Sequence, residues 1–157
     1  MNGRSPGGIL RYLPIALPKF DGAIVRQLLR PFSGCALIRT HQIDPARNLL
    51  KHIAGTGAKG YDGDGGPALN STWNGPKGIV YAPDHSLYIS DTENHVIRRV
   101  SLTDGTVSTV AGTGTRGDGP EGDPRACALA RPHGVCIHDG TLYIGDSENY
   151  RIRALRL

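Results

Sequence analysis

Apolar and polar residues alternate over short stretches of this chain, and the stretches are separated by turns rich in Gly, Asp and Pro. Four such stretches follow one another, at residues 78–82 (GIVYA), 86–90 (SLYIS), 96–100 (VIRRV) and 106–111 (TVSTVA). Alternation over about four to eight residues is typical of half-buried strands, because successive side chains point to opposite faces of a sheet. The intervening turns are short enough to join antiparallel neighbours. The pattern therefore predicts a four-stranded antiparallel meander.

Much of this pattern occurs twice. Residues 53–60 (IAGTGAKG) recur as 110–117 (VAGTGTRG), and residues 87–94 (LYISDTEN) recur as 142–149 (LYIGDSEN). The two shifts are 57 and 55 residues, so the order and spacing of the motifs are kept. Self-similarity at a nearly constant period indicates a repeat architecture. Because the repeated unit is a four-stranded meander, the prediction is an all-β fold in which each copy is one blade of a β-propeller.

The register of the repeat divides the chain into two regions. Residues 1–34 show no clear match, although 8–12 and 23–26 have the composition of degenerate strands. Residues 35–157 are predicted to be propeller blades, with a half blade at 35–54, a full blade at 76–111 and an incomplete blade at 132–157. About three blades do not close a ring and leave sheet edges unprotected. We therefore expect these to be C-terminal blades of a larger propeller, with other blades or a second copy of the chain closing the ring.

Three motifs make a family resemblance specific: 60–68 (GYDGDGGPA), 74–79 (NGPKGI) and 87–99 (LYISDTENHVIRR). They are similar to the repeats of bacterial NHL-repeat proteins, and the similarity extends over residues 36–157. The resemblance implies a propeller of commonly about six blades. It implies no particular activity, because propellers carry many unrelated functions.

Aromatic residues mark where neighbouring blades are expected to pack. Tyr88 and Tyr143 occupy equivalent second-strand positions, and Trp73 precedes the full blade. Strand alternation directs such side chains toward an adjacent blade. We predict that residues 76–157 form two antiparallel sheets packed face to face, with all three aromatic side chains at least partly buried.

Charge is distributed unevenly and restricts the classes of partner. The formal net charge of +4 lies entirely in residues 1–34, because residues 35–157 contain 13 basic and 13 acidic side chains. Nucleic-acid binding requires clustered positive charge on the folded domain, so we expect no nucleic-acid partner. No apolar run approaches the roughly 20 residues of a membrane-spanning helix. The N-terminal stretch is not a clear signal peptide, which leaves both cytoplasm and export open.

Strand direction gathers the longer connections of every blade on one face, here called the long-loop face. It comprises the connections 55–75 and 112–131, the loops 91–95 and 146–150, and the segments that begin each first strand. Binding sites lie on loops held by rigid strands. The candidate ligand-binding residues on this face are Lys77, Asn94, His95, Arg131, His133, Asn149 and Tyr150. Differences between the copies are the better guide to function, and Lys77 of one copy is replaced by His133 in the next.

Two charged pairs also recur. Asp91 and Arg98 of the full blade correspond to Asp146 and Arg153. In each copy the carboxylate lies diagonal to the arginine on the same sheet face, and flanking apolar residues leave the guanidinium in need of a partner. A catalytic group is normally needed once, whereas a role repeated in every blade is architectural. These residues are predicted to be structural ion pairs.

The glycine-rich connections contain two motifs that resemble ligand sites. Residues 55–60 and 112–117 match G-x-G-x-x-G, but dinucleotide binding requires a helix to begin within the motif, and a second glycine-rich stretch follows instead. Asp62 and Asp64 are spaced so that both carboxylates reach one calcium ion. Asx turns that stabilise the loop are the interpretation we favour. We therefore expect no cofactor, with calcium at Asp62 and Asp64 as the alternative.

These observations favour a non-enzymatic binding or interaction scaffold of the NHL-repeat propeller type, with its ligand or partner on the long-loop face. No nucleophile–base pair or metal triad is visible in the sequence. The alternative is a propeller enzyme of the lyase or lactonase type, whose remaining site residues lie in blades that this sequence does not contain. The resemblance implies that such enzymes hold catalytic groups around the central funnel, where His133 is expected. The sequence identifies neither the ligand nor a protein partner.

Overall fold

The computed structural model of the protein describes residues 24–30, 37–44 and 47–157. Three antiparallel sheets contain all ten strands of the described residues. The first sheet has β1 (Ile24–Arg30), β2 (Leu37–Asp44) and β3 (Leu49–Ala54); the second has β4 (Ile79–Ala82), β5 (Ser86–Asp91), β6 (Val96–Ser101) and β7 (Val107–Ala111); the third has β8 (Gly134–His138), β9 (Thr141–Asp146) and β10 (Arg151–Arg156). The sheets are open and form an incomplete propeller, which confirms the predicted all-β fold.

The second sheet is the four-stranded meander predicted from the alternation. Its order is β4-β5-β6-β7, and Asp91 pairs across from Val96 at the β5–β6 end. The third sheet has the order β10-β9-β8, so its first three strands repeat the arrangement of the second. The helical segments of the described residues are three single-turn 3-10 helices: Ala68–Asn70, Thr92–Asn94 and Ser147–Asn149. None of these is long and apolar enough to cross a membrane.

The first sheet has a strand that the repeat did not clearly indicate. β2 and β3 correspond to the third and fourth strands of a blade, and β1 pairs with β2 from Ile24 opposite Ile43 to Arg30 opposite Leu37. β1 contains most of the degenerate strand expected at 23–26. The other degenerate strand, expected at 8–12, lies outside the described residues.

Two apolar layers separate the three sheets. Trp73 is 2% exposed and lies in the layer that joins Ala54 of the first sheet to β5, β6 and β7 of the second. Tyr88 is 4% exposed and packs in the next layer with Leu142 and other residues of the third sheet. Tyr143 is half-buried. The predicted face-to-face packing and the burial of all three aromatic residues are confirmed.

The second and third sheets approach each other most closely at their innermost strands. A Cβ atom added to Gly78 would lie 2.6 Å from the carbonyl oxygen of His133 and 3.1 Å from the backbone nitrogen of Val135. Real Cβ atoms are not found so close to backbone atoms, and only glycine fits this position. The close approach brings the segments that precede β4 and β8 side by side on the long-loop face.

Candidate functional site

A carboxylate at the end of the second strand fastens the full blade to the connection before it. Asp91 Oδ1 accepts a hydrogen bond of 2.7 Å from the backbone N–H of Asn74, and Oδ2 accepts one of 2.8 Å from the side-chain amide of Asn94. The same amide donates to the carbonyl of Gly60 at 2.7 Å. The two ends of the connection from Gly60 to Asn74 are therefore fixed to the β5–β6 loop.

The next blade repeats this arrangement. Asp146 accepts from the backbone N–H of Ala130 at 2.7 Å and from the amide of Asn149 at 2.8 Å, and that amide also donates to the carbonyl of Gly117. Both asparagines were predicted as candidate ligand-binding residues. In the structure their amide groups hold the connections, which favours an architectural role for Asn94 and Asn149.

Arg98 is fully buried and receives more carboxylate contact than the repeat indicated. Its Nη1 lies 3.7 Å from Asp91 Oδ2, whereas Nε and Nη2 lie 3.1 and 2.9 Å from Asp64 Oδ1. The guanidinium also donates to the backbone carbonyls of Thr72 and Asp62, and it stacks 4.5 Å from the ring centroid of Trp73. A buried cation is tolerated only when it is paired and hydrogen-bonded. Asp64 supplies most of that pairing.

Arg153 also binds two carboxylates. Its Nε donates to Asp146 Oδ2 and its Nη2 to Asp118 Oδ1, each at 2.8 Å. Asp146 is the carboxylate that the sequence pairs with Arg153, and the structural role predicted for this pair stays a prediction. Asp118 was not predicted, although it lies in the connection that corresponds to the one containing Asp64.

The ionisation of Asp91 depends on its burial and on the groups around it. Burial raises the pKa of Asp91 to about 6, and hydrogen bonds from Asn74, Asn94 and the nearby Arg98 act in the opposite direction. At neutral pH the carboxylate is therefore ionised, and it accepts hydrogen bonds from Asn74 and Asn94 while Arg98 Nη1 lies 3.7 Å away. This behaviour suits a structural residue.

Asp64, one of the two predicted calcium ligands, already accepts hydrogen bonds from other groups of the protein. Asp64 Oδ1 accepts from Arg98, and Asp64 Oδ2 accepts from the backbone N–H of Thr109 at 2.8 Å. A guanidinium and a divalent cation compete for the same lone pairs, so this arrangement disfavours calcium at Asp62 and Asp64. Within the part of the chain that the structure describes, no group of three His, Cys, Asp or Glu side chains is arranged to hold a metal ion.

Arg131 joins equivalent residues of two blades on the long-loop face. Its guanidinium pairs with Glu93 Oε1 through Nε and Nη2, and its Nη1 lies 2.9 Å from Glu148 Oε1. Arg116 Nη2 lies 2.9 Å from the other oxygen of Glu148. The hydrogen bonds from Arg131 lower the pKa of both glutamates, and their carboxylates raise the pKa of Arg131. The bridge is therefore charged throughout the neutral range.

His95 contacts the backbone of Arg131. Its Nδ1 accepts a hydrogen bond of 3.1 Å from the backbone N–H of Arg131. Burial lowers the pKa of His95, and the opposing influence of Glu93 is smaller. Tyr150 occupies the equivalent position in the next blade, has the same left-handed backbone and is 95% exposed.

Lys77 and His133 meet at the innermost part of the long-loop face. Lys77 Nζ lies 3.3 Å from His133 Nε2. Their backbone N–H groups donate to Ser90 and Gly145, each at 3.1 Å, so equivalent main-chain bonds hold both residues at the edge of their sheets. Among the ion pairs of the described residues, none includes Lys77. The difference between the two copies thus produces a direct contact between a cation and an imidazole.

The structure brings the predicted residues of this face into two adjacent contacts, one between Lys77 and His133 and one between His95 and Arg131. Sequence reasoning missed Glu93 and Glu148, the acids that Arg131 bridges. A signal for them was available, because both are the central residue of the recurring Thr-Glu-Asn or Ser-Glu-Asn segment.

Comparison with known proteins identifies the repeat. The family model described as "NHL repeat" matches residues 129–155. NHL repeat-containing protein 2 of Homo sapiens is 46% identical over 52 residues, which cover 33% of this chain and 7% of that protein. The Bos taurus protein of the same name is 44% identical over 97 residues, or 55% and 13% of the two chains. Protein SUPPRESSOR OF QUENCHING 1, chloroplastic, of Arabidopsis thaliana is 33% identical over 91 residues, or 56% and 8%.

The chain thus spans between 7% and 13% of the length of these curated relatives. They come from animals and a plant, so the bacterial character suggested by the motifs stays a prediction.

Solved structures from Bacteroides thetaiotaomicron share the fold. A structural genomics protein of unknown function has a TM-score of 0.63 and 24% identity, with 75% of this chain and 30% of that chain covered. An auxiliary nutrient binding protein has a TM-score of 0.59 and 25% identity, with 75% and 32% covered.

Proposed function

We propose, since this chain is an NHL-repeat protein with the β-propeller fold, that it is a binding scaffold that holds its ligand or partner on the long-loop face. The family assignment supports a binding role in general. A structural neighbour described as an auxiliary nutrient binding protein supports the same role.

The observation that carries the proposal is the bridge that Arg131 makes between Glu93 and Glu148. These glutamates belong to equivalent loops of two blades, and each loop is fastened below by an aspartate–asparagine pair, Asp91 with Asn94 and Asp146 with Asn149. A surface whose backbone is held in this way loses little conformational entropy on binding. The side chains above it are polar and partly exposed, as a recognition surface requires.

The joint between the two blades adds to this rigidity. The hydroxyl of Thr92 donates to the carbonyl of Pro132 at 2.7 Å, and both groups are buried. The hydrogen bond links the loop of one blade directly to the segment that carries His133 in the next. Groups contributed by two blades are thereby kept in a constant relation, which favours recognition of a ligand that contacts both.

A thermal-shift screen with panels of small ligands of different chemical classes tests the proposal. His133→Ala and Tyr150→Ala alter the long-loop face, and Asp139→Asn alters the opposite face at a side chain that is 88% exposed. We expect a ligand that raises the Tm of the wild type and of Asp139→Asn but has a smaller effect on at least one long-loop variant. Ligands whose effect is lost only in Asp139→Asn, or a complete lack of binding, would contradict the proposal.

A further inference from the structure

We infer that the free edge of β10, the edge that faces away from β9, is a docking site for an extended segment of a partner polypeptide. The third sheet has the order β10-β9-β8, and no strand of the described residues pairs with this edge. Its repeat equivalent in the second sheet, β6, pairs on the same side with β7. The partner segment binds as the fourth strand of the third blade. This inference goes beyond the proposed function, because it concerns a strand edge and not the bridge made by Arg131.

The fourth strand of the second sheet lies in a slot that holds it from two sides. β6 pairs with one side of β7, with Val100 opposite Val107. On the other side the backbone N–H of Val107 donates to the carbonyl of Gly66 at 3.0 Å, and its carbonyl accepts from the N–H of Gly65 at 2.7 Å. Gly65 and Gly66 belong to the connection that precedes the blade. A fourth strand therefore binds between the third strand and this connection.

The connection before the third sheet contributes the matching groups to a slot beside β10. Hydrogen bonds that recur after 56 residues give the correspondence, from Asn70 to the carbonyl of Pro67 and from Ala126 to the carbonyl of Asp123, each at 3.0 Å. The same shift places Glu121 and Gly122 at the positions of Gly65 and Gly66. Among the described residues, the N–H of Glu121 and the carbonyl of Gly122 have no backbone partner. Both residues and β10, from Arg151 to Leu155, line one cavity of about 350 Å³.

The cavity contains an apolar subsite for one side chain of the incoming strand. Val107 of β7 is 0% exposed and packs in the apolar layer between the first and second sheets. Five residues of that layer have repeat equivalents that line the cavity: Ala54, Ala68, Trp73, Ile89 and Val100 correspond to Ala111, Pro124, Leu129, Ile144 and Leu155. A side chain of valine size at the position of Val107 is therefore buried among them.

The edge of β10 supplies main-chain donors to the same slot. The N–H of Leu157 donates to the carbonyl of Gly140 and continues the ladder between β9 and β10. Successive N–H groups of a strand point to opposite sides, so that of Ala154 points away from β9. An unpaired edge of this kind is a template for another extended chain. Main-chain bonds thus provide affinity, and the apolar subsite selects a segment with an aliphatic side chain at one position.

A synthetic peptide with the sequence of residues 104–112 (DGTVSTVAG), which contains the protein's own fourth strand, is the probe. We expect it to bind the ¹⁵N-labelled full chain and to shift the amide resonances of Glu121, Gly122 and Ala154. The same peptide with Val107→Asp should bind at least about tenfold more weakly, because it places a carboxylate in the apolar subsite. A peptide N-methylated at Val107 should also bind more weakly, because it lacks the N–H that the carbonyl of Gly122 accepts.

A substitution in β10 tests the strand edge itself. Ala154→Pro removes an N–H that does not belong to the ladder with β9, and proline is tolerated at such edge positions. It should weaken peptide binding by about tenfold or more, because the ring also obstructs the approach of the incoming strand. Ala154→Val is the matched control, since it keeps the N–H and should bind as the wild type does. The modified peptides test the same contacts without altering the protein.

Several results would overturn the inference. One is a lack of binding, and another is equal affinity for the original and the modified peptides. Shifts confined to Gly65 and Gly66 would mean that the peptide exchanges with β7 of the second sheet. If the peptide does not bind and Ala154→Pro abolishes self-association of the chain in light scattering, the edge pairs with a second copy and not with a partner polypeptide.

Discussion

Arg131 occupies the position that Gly75 occupies one repeat earlier, and both residues adopt a left-handed backbone, with φ of 45° and 60°. Glycine takes this conformation without a steric penalty, whereas a residue with a Cβ atom loses about 1 kcal/mol. The chain keeps arginine here although the equivalent glycine shows that the turn does not need a side chain. Strain of this kind is concentrated at functional sites, and the ion pairs of Arg131 with Glu93 and Glu148 offset it.

Substitutions at Arg131 separate the strain from the ion pairs. Arg131→Ala and Arg131→Gly both remove the bridge, but only alanine keeps the left-handed penalty. We therefore expect Arg131→Gly to be more stable than Arg131→Ala by about 1 kcal/mol, measured by urea unfolding. Arg125 is an exposed arginine without positive φ, so there the alanine variant should be at least as stable as the glycine variant. The same order at both positions would contradict the strain argument.

Two consecutive arginines of β6 should differ sharply in their contribution to stability. Arg98 is 0% exposed, and its removal leaves Asp91 and Asp64 without their cation, so Arg98→Ala should cost about 3 kcal/mol or more. Arg99 pairs with Asp84 on the surface, with both side chains at least one-third exposed, and Arg99→Ala should cost less than about 1 kcal/mol. Thermal and chemical unfolding of both variants measures the difference. Comparable losses of unfolding free energy in the two variants would contradict the assignment of Arg98 to a structural ion pair.

The hydrogen bond between His95 and Arg131 should make stability depend on pH. Because burial lowers the pKa of His95, the unfolded chain takes up a proton before the folded protein does as the pH falls. The contribution of His95 is therefore complete above its ordinary pKa of 6.5 and is lost as the pH falls through the lowered value. We expect the difference in unfolding free energy between the wild type and His95→Asn to be smaller at about pH 5.5 than at about pH 7.5.

Asparagine suits this test because it does not titrate and tolerates the left-handed backbone of His95. His85 has the same φ of 58° but an exposed ring, and His85→Asn is the control. The difference between wild type and His85→Asn should change less over this pH interval. A larger change for His85 would mean that burial of His95 is not the cause.

The outer face of the third sheet should promote association. Ile152 is 70% exposed, whereas its repeat equivalent Ile97 is fully buried where the third sheet covers the second. Tyr143 and Cys136 line the same apolar surface. We expect the wild type to associate, and Ile152→Lys to weaken the association by about tenfold or more, because burying one isoleucine is worth about 1.5–3 kcal/mol.

Size-exclusion chromatography with light scattering measures this association over a range of concentrations. Leu69→Lys is the control, because Leu69 is 48% exposed and lies in a 3-10 helix of the connection before the second sheet. A wild-type chain that stays monomeric and unfolds cooperatively at every concentration would be inconsistent with an exposed blade surface.

The sequence predicted the blade well because alternation and repetition act together. The observed strands β4 to β7 differ from the predicted stretches by about one residue at their ends, where hydrogen bonding decides the boundary. The pairing of Asp146 with Arg153 was also accessible, since both residues recur at fixed spacing. Repetition reveals what every blade needs.

The same reasoning fails where the copies differ. Asp64 and Asp118 both hold a buried or half-buried arginine, but Asp64 lies four residues after Gly60 and Asp118 lies one residue after the equivalent Gly117, so sequence alignment does not match them. The bridge formed by Arg131 was hidden for a related reason, because its equivalent is Gly75. A side chain that crosses from one blade to another leaves no periodic signal, and only the folded structure reveals it.

Because each connection is tied to its blade at both ends, it should tolerate changes in length and sequence. The segment between Gly60 and Asn74 and the segment between Gly117 and Ala130 are tied to their blades at both ends by the same bonds, although they differ in length by one residue. Since the ends are already fixed, doubling the enclosed loop costs only about 0.6 kcal/mol of closure entropy. The aspartates that hold the arginines and the buried residues of the segments, such as Trp73 and Leu129, have to be kept, but the exposed stretches between them can accept inserted peptide while the blades keep their register.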